Sequence, residues 1–312
     1  MALIISAEQT RELIDMTTCI RVLDRMFRDR AAGKMRAVPR RRLKGSGKQL
    51  NVMAAWHQTT DLIALRSYVA KANTISLYDG GAGGLKAIMS AAYLSSLRTG
   101  AATGVAAKYL APPKPSVLGL IGPGWQGTFQ VEAVVKACRP KQVLVFGRNA
   151  ERCQGFIDTM SKLVRTPFMV AGSVDEVESE SDILVISTDS TTPIVDGRRL
   201  KDDVLVATIG ANQPSKHEVS GRLVKSMDLV VTDDLATAQN DSGDLIAACA
   251  KRQLRWRDVV PLETIVAEGV PGEPRKILFQ SNGIPDEDLA VGAYVLRQAL
   301  RKKLRLREIA EF

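Results

Sequence analysis

The sequence predicts an α/β protein with a doubly wound parallel sheet and, N-terminal to it, an α+β domain built on an antiparallel sheet. Three observations carry this. The apolar run Ser116-Val117-Leu118-Gly119-Leu120-Ile121 enters a G-x-G-x-x-G turn, Gly122-Pro123-Gly124-Trp125-Gln126-Gly127, and passes without a break into an amphipathic segment from Gln126 to Cys138. Before that turn, short apolar and β-branched runs alternate with basic loops and end in a glycine hairpin; after it, such runs alternate with helical periods. The 312 residues, 45% of them apolar and 25% charged, are enough for two cores. Pro112-Pro113-Lys114-Pro115 reads as a linker, so the domains fall at 1–112 and 116–284, and a last helical segment, 285–312, rejoins the first.

In chain order, Ser6 caps an amphipathic helix with Glu8 and Gln9 in its first turn and apolar positions at Leu13, Ile14, Ile20, Leu23 and Phe27. Pro39-Arg40-Arg41-Arg42 reads as a basic loop. Leu50-Asn51-Val52-Met53, Leu65-Arg66-Ser67-Tyr68-Val69 and Ile75-Ser76-Leu77-Tyr78-Asp79 are strands, and Gly80 to Gly84 turns the last of them into Leu85 to Met89. A small-residue helix then runs through Leu94 and Leu97 to Leu110. Beyond the glycine turn, strands are expected at 142–146, 168–170, 183–186, 204–209 and 229–231, with a short one at Ile277-Leu278-Phe279 before the loop Ser281-Asn282-Gly283. The final helix starts near Asp286 with an apolar stripe of Leu289, Val291, Ala293, Val295, Leu296 and Leu300.

Composition narrows the function. No apolar run approaches the roughly 20 residues that span a bilayer, and Met1-Ala2-Leu3-Ile4-Ile5 meets Ser6 without a basic leader, so a cytoplasmic protein with no membrane partner is expected. Cys19, Cys138, Cys153 and Cys249 are scattered and only His57 and His217 are present, which argues against a metal site. The net charge of +9 gathers at Arg40 to Lys44 and at Arg301 to Arg307 without interleaved aromatics. We read the tail as a solvated helix face and the first cluster as a receptor for a small anion rather than for nucleic acid.

The glycine turn carries the most specific chemistry. Gly122 permits the tight turn, Gly124 lets a pyrophosphate approach bare backbone, and Gly127 lets the helix pack on its strand, with the helix N-terminus facing the phosphates. At the end of the next strand, Val145-Phe146-Gly147-Arg148-Asn149 offers a cation where NAD-selective sites hold an acid, which favours NADPH over NADH.

Leu94-Ser95-Ser96-Leu97-Arg98-Thr99-Gly100-Ala101-Ala102, the turn from Gly122 to Gly127, and Phe279 to Gly283 running on to Asp288-Leu289-Ala290 together resemble the ornithine cyclodeaminase and mu-crystallin family over nearly the whole chain. The resemblance implies a homodimer whose N-terminal domain supplies the dimer contact and the substrate site, and a Rossmann domain that binds NAD or NADP. It places the carboxylate-binding arginines at Arg41, with Arg40 as the alternative, and at Arg98. It implies cofactor contacts from Gly122, Gly124, Trp125, Gln126, Gly127, Arg148, Asn149, Thr188 and Ser281.

Two departures choose among the family's reactions. Where many members carry a lysine, this chain has Arg66, which stays protonated, and Lys71 would point to the opposite face of the strand. Where a cyclodeaminase places an aspartate, Asn212 stands, and an amide is no base. The expectation is therefore reduction of an imino or ketimine acid to an L-amino acid, or the reverse oxidation. With no clear acid in the site, the substrate is expected to enter as an iminium. The alternatives are an ornithine-type cyclodeaminase with recycled NAD and a non-catalytic NADPH-dependent binder of the mu-crystallin kind.

Overall fold

The structure, a computed structural model, describes residues 2–70, 72–304 and 306–309; Lys71, and Arg305 of the basic tail, lie outside them. The chain opens with β1 (Ala2–Ile5), α1 (Ala7–Leu13) and α2 (Met16–Ala31). Five strands follow, β2 (Met35–Lys44), β3 (Gln49–His57), β4 (Leu62–Val69), β5 (Ala72–Asp79) and β6 (Leu85–Ser90), and then α3 (Ala92–Leu110). Next come β7 (Val117–Ile121), α4 (Trp125–Cys138), β8 (Gln142–Phe146), α5 (Ala150–Met160), β9 (Phe168–Val170), α6 (Val174–Glu180), β10 (Ile183–Ile186) and β11 (Val204–Thr208). The remaining elements are α7 (Gly221–Lys225), β12 (Leu229–Thr232), α8 (Leu235–Asp241), α9 (Gly243–Ala250), β13 (Val259–Pro261), α10 (Leu262–Glu268), β14 (Lys276–Gln280), α11 (Pro285–Arg301) and β15 (Arg307–Ile309). These form two compact units, residues 1–98 with 284–312, and residues 99–283. No helix of the described residues is long and apolar enough to cross a membrane.

The first unit holds a seven-stranded sheet in the order β15-β1-β6-β5-β4-β3-β2. Strands β2 to β6 pair as an antiparallel meander, whose last hairpin turns through the glycines between Asp79 and Leu85. Residues directly opposite one another share a face. Met53, Arg66, Ile75 and Met89 line up across β3 to β6, all buried, on the face that α11 covers; Gly292 of α11 sits over Ile75, Leu77 and Met89. The other face carries Ala54, Leu65, Ile88, Trp56, Ile63 and Tyr78, half-buried and largely apolar.

Local signals misplace four features here. The N-terminal helix is two helices, because Asp15 accepts from Thr18 N at 2.7 Å and starts the second. Pro39 to Arg42 is no loop but part of the edge strand β2, where a proline costs no ladder bond. The basic tail is not a continuing helical face: β15 pairs antiparallel with β1, with Arg307 opposite Ile4. Of the stripe on α11, Leu289, Val291, Val295 and Leu296 are buried, Ala293 is half-buried and Leu300 is 58% exposed.

The second unit is an all-parallel eight-stranded sheet, ordered β13-β12-β14-β11-β10-β7-β8-β9. Strands β7, β10, β11 and β12 are buried at every position, as expected where helices cover both faces. The strand order reverses between β7 and β10, and ligands of such sheets bind outside the carboxyl ends of the strands at that point.

Candidate active site

The glycine turn sits at this switch point. Gly122 has φ +96°, and a Cβ there would run into Ser187 O and lie 2.9 Å from Thr188 Cγ2. Gly127 brings α4 onto the turn, since a Cβ on it would come within 2.8 Å of Gly122 O. Gly124 is different: nothing lies within 4 Å of the Cβ position, and as N-cap of α4 it has no side chain to occupy the helix end. Open space before uncapped amides is what a pyrophosphate needs. Trp125 is 65% exposed and packs edge-on to Phe129, and Gln126 follows in the first turn.

At the end of β8, Arg148 is exposed and no acid precedes it in the turn. Asn149 caps α5, its Oδ1 accepting from Arg152 N at 2.8 Å. Thr188 follows β10 and donates both its N–H, at 2.6 Å, and its hydroxyl, at 2.9 Å, to Glu218 Oε1. Ser281 Oγ donates to Asp233 Oδ2 at 3.4 Å, and the amides of Asn282 and Gly283 reach the same oxygen at 2.6 Å. Burial raises the pKa of the Asp233 carboxyl. Asn212 Nδ2 donates to Ile209 O at 3.5 Å, so this side chain acts as a donor.

In the first unit, two arginines share one carboxylate. Arg66 Nη1 donates to Asp288 Oδ1 and Oδ2 at 3.0 and 3.2 Å, and Arg98 Nε donates to Asp288 Oδ1 at 3.2 Å. Arg98 Nη1 also reaches Glu287 Oε2 at 2.9 Å, and Arg30 Nη1 lies 2.8 Å from Asp286 Oδ2. Arg66 and Arg98 are nearly inaccessible and Asp288 fully so. Burial pulls the Arg66 pKa down while the Asp288 charge pushes it up. Arg66 Nε is buried and has no hydrogen-bond partner among the described residues.

Sequence reasoning expected no acid beside the arginines, and the structure corrects this with Glu287 and Asp288. Three acids in the first turn of α11 read as an ordinary helix start, which the helix dipole favours. A signal was present: Asp288 lies three and seven residues before Val291 and Val295, in line with the buried stripe. Arg41 is the second correction. A register shift between Val38 and Arg41 sets Arg41 opposite Val52, exposed and on the face away from Met53 and Arg66, whereas the neighbouring Arg40 buries its Nε. A β-bulge moves alternation by one residue, and nothing in residue order announces it.

A doubly wound sheet with a glycine turn at its switch point, in a chain that also buries Arg66 of β4 and Arg98 of α3 on one carboxylate, is the architecture of a dinucleotide-dependent oxidoreductase. The chain belongs to the ornithine cyclodeaminase/mu-crystallin family, whose model it matches over residues 2–303. It is 31% identical over 232 residues to the iminosuccinate reductase of Paracoccus denitrificans, covering 74% of this chain and 71% of that one. Its fold matches Δ1-pyrroline-2-carboxylate reductase of Thermococcus litoralis, solved with NADH and L-proline, at a TM-score of 0.91 and 25% identity, over 98% of this chain and 100% of the other. An archaeal alanine dehydrogenase dimer with bound NAD matches at a TM-score of 0.91 and 27% identity, over 100% and 99% of the two chains.

Proposed function

We propose that this protein reduces the imine of an α-keto acid, cyclic or open, to an L-amino acid with NADPH, or catalyses the reverse oxidation. The carrying observation is the arginine pair on Asp288, with the unused Arg66 Nε. Arg66 and Arg98 hold the substrate carboxylate, and Arg40, rather than Arg41, is the β2 arginine that assists them. Among the described residues, Arg30, Arg66 and Arg98 face Asp286, Glu287 and Asp288, three charges of each sign. This balance suits a substrate that carries a carboxylate and an iminium on adjacent carbons better than a bare anion. An iminium needs no proton from the enzyme before reduction, and Asn212 is not asked for one. The turn from Gly122 to Gly127 and the loops bearing Thr188 and Ser281 hold the cofactor, which when bound supplies or accepts the hydride.

With a cyclic imino acid such as Δ1-pyrroline-2-carboxylate, NADPH consumption matching amino-acid formation is expected; ammonia release from ornithine without net cofactor change overturns the reading. Arg148 is assigned to the 2′-phosphate. Arg148→Ala should raise KM for NADPH about tenfold or more and leave that for NADH nearly unchanged, because one charge-assisted contact is lost. A wild-type enzyme that prefers NADH refutes the assignment.

The protein also acts on this reading as a homodimer joined through the apolar outer face of the antiparallel sheet. That face, with Trp56, Ile63, Leu65 and Ile88, has no covering helix comparable to α11 among the described residues. Leu65→Asp is expected to give a monomer in sedimentation, and a monomeric wild type removes the proposal.

A further inference from the structure

Glu218, fully buried, is used by neither the phosphate turn nor the arginine pair. Its Oε1 accepts from Thr188 N and Thr188 Oγ1, and its Oε2 accepts from Ile209 N at 2.9 Å and Gly210 N at 2.7 Å. One carboxylate therefore ties the loop after β10 to the loop after β11. The contact continues on both sides: a Cβ on Gly210 would run into Thr188 O and come within 2.6 Å of Glu218 Oε1, and Gly122 of the phosphate turn touches Ser187 and Thr188. Gly122, Thr188, Glu218 and Gly210 thus form one packed row over the carboxyl ends of β7, β10 and β11, where the switch point lies. Three of the four donors are backbone amides that cannot accept, so a protonated Glu218 could donate only to Thr188 Oγ1. The carboxylate is the form this clamp fits.

We infer that Glu218 is a positioning residue for the nicotinamide half of the cofactor, holding the Thr188 and Gly210 loops at a fixed spacing only while it is ionised. The inference rests on the reading that this unit binds a nicotinamide dinucleotide. Burial pushes Glu218 up to about 7 despite its donors. The groups facing it are Asp244 of α9, whose carboxylate accepts from Glu218 N at 3.1 Å, His217 with Nδ1 3.5 Å from Asp244, and the Lys216–Asp189 pair beyond. Asp244 is pushed up to about 8 by burial and by the Glu218 charge. Cofactor affinity should accordingly fall as pH drops through about 7.

The full-length protein is titrated with NADPH by nicotinamide fluorescence across this range. Wild type is expected to bind about tenfold more weakly near pH 6 than near pH 8 through this group. Glu218→Gln should weaken binding about tenfold or more at alkaline pH and lose the step. Asp244→Asn should keep the step, because Glu218 and its four donors remain. Thr188→Val, which removes one donor but keeps the carboxylate, should move the step to higher pH and decides the matter if Glu218→Gln does not fold. The 2′-phosphate titrates in every protein, so the differences between profiles are read. A wild-type profile in Glu218→Gln, loss of the step in Asp244→Asn, or an unmoved step in Thr188→Val overturns the inference. Wild type that binds neither NADPH nor NADH at any pH removes instead the dinucleotide reading itself.

Discussion

Asp288→Ala is expected to lower stability by about 3–5 kcal/mol and to abolish turnover, because it strands a buried guanidinium. Asp288 accepts from both Arg66 and Arg98; Arg98 keeps Glu287, but Arg66, 4% exposed, keeps no carboxylate among the described residues. Arg66, buried between Met53 and Ile75 of the neighbouring strands, and the equally buried Arg98 are tolerable only with their countercharge. The double change Arg66→Met with Asp288→Leu is expected to regain much of the lost stability, since an apolar replacement of a buried pair removes both desolvation costs, and to regain no activity. Denaturant melts and steady-state kinetics on the same samples read the two effects separately. A wild-type melting curve and kcat/KM for Asp288→Ala would sink the assignment.

The second large effect is a separation of binding from stability at the phosphate turn. Gly124→Ala places a methyl in open space at a backbone conformation any L-residue adopts, so thermal stability should stay within about 1 kcal/mol of wild type. NADPH affinity should nevertheless fall about a hundredfold or more, because the methyl occupies the approach of the pyrophosphate to the amides of α4. Gly122→Ala is the contrasting case. Its φ of +96° and the collision with Ser187 O strain the fold itself, so melting temperature and affinity should drop together. Calorimetry paired with NADPH titration distinguishes the two, and a Gly124→Ala protein with unchanged NADPH affinity would falsify the role given to that glycine.

Much of the parallel unit was legible in residue order, for a local reason. Its strands are buried on both faces, so each reads as an unbroken apolar run, and in the turn Gly122 takes a positive φ while Gly127 answers a steric demand set by Gly122 O. The hairpin at Gly80 to Gly84 was legible for the same reason. Strands too short or too basic to show a period, β1, β2 and β15, were not, because their partners decide them: β1 lies between β6 and β15, and β2 along β3. The chemistry of the candidate site belongs almost wholly to that second category. The family resemblance singled out Arg98 and, in the lysine position, Arg66, but Asp288 meets them across 222 and 190 residues, and only the docking of α11 on the sheet brings its first turn there. That Arg41 points away from Arg66 turned on one bulge, and the four donors of Glu218 come from two loops that only sheet assembly sets side by side. Local sterics determine which elements form; which charged groups share a buried space is decided by contacts between distant segments, where desolvation makes each pairing worth far more than any local preference.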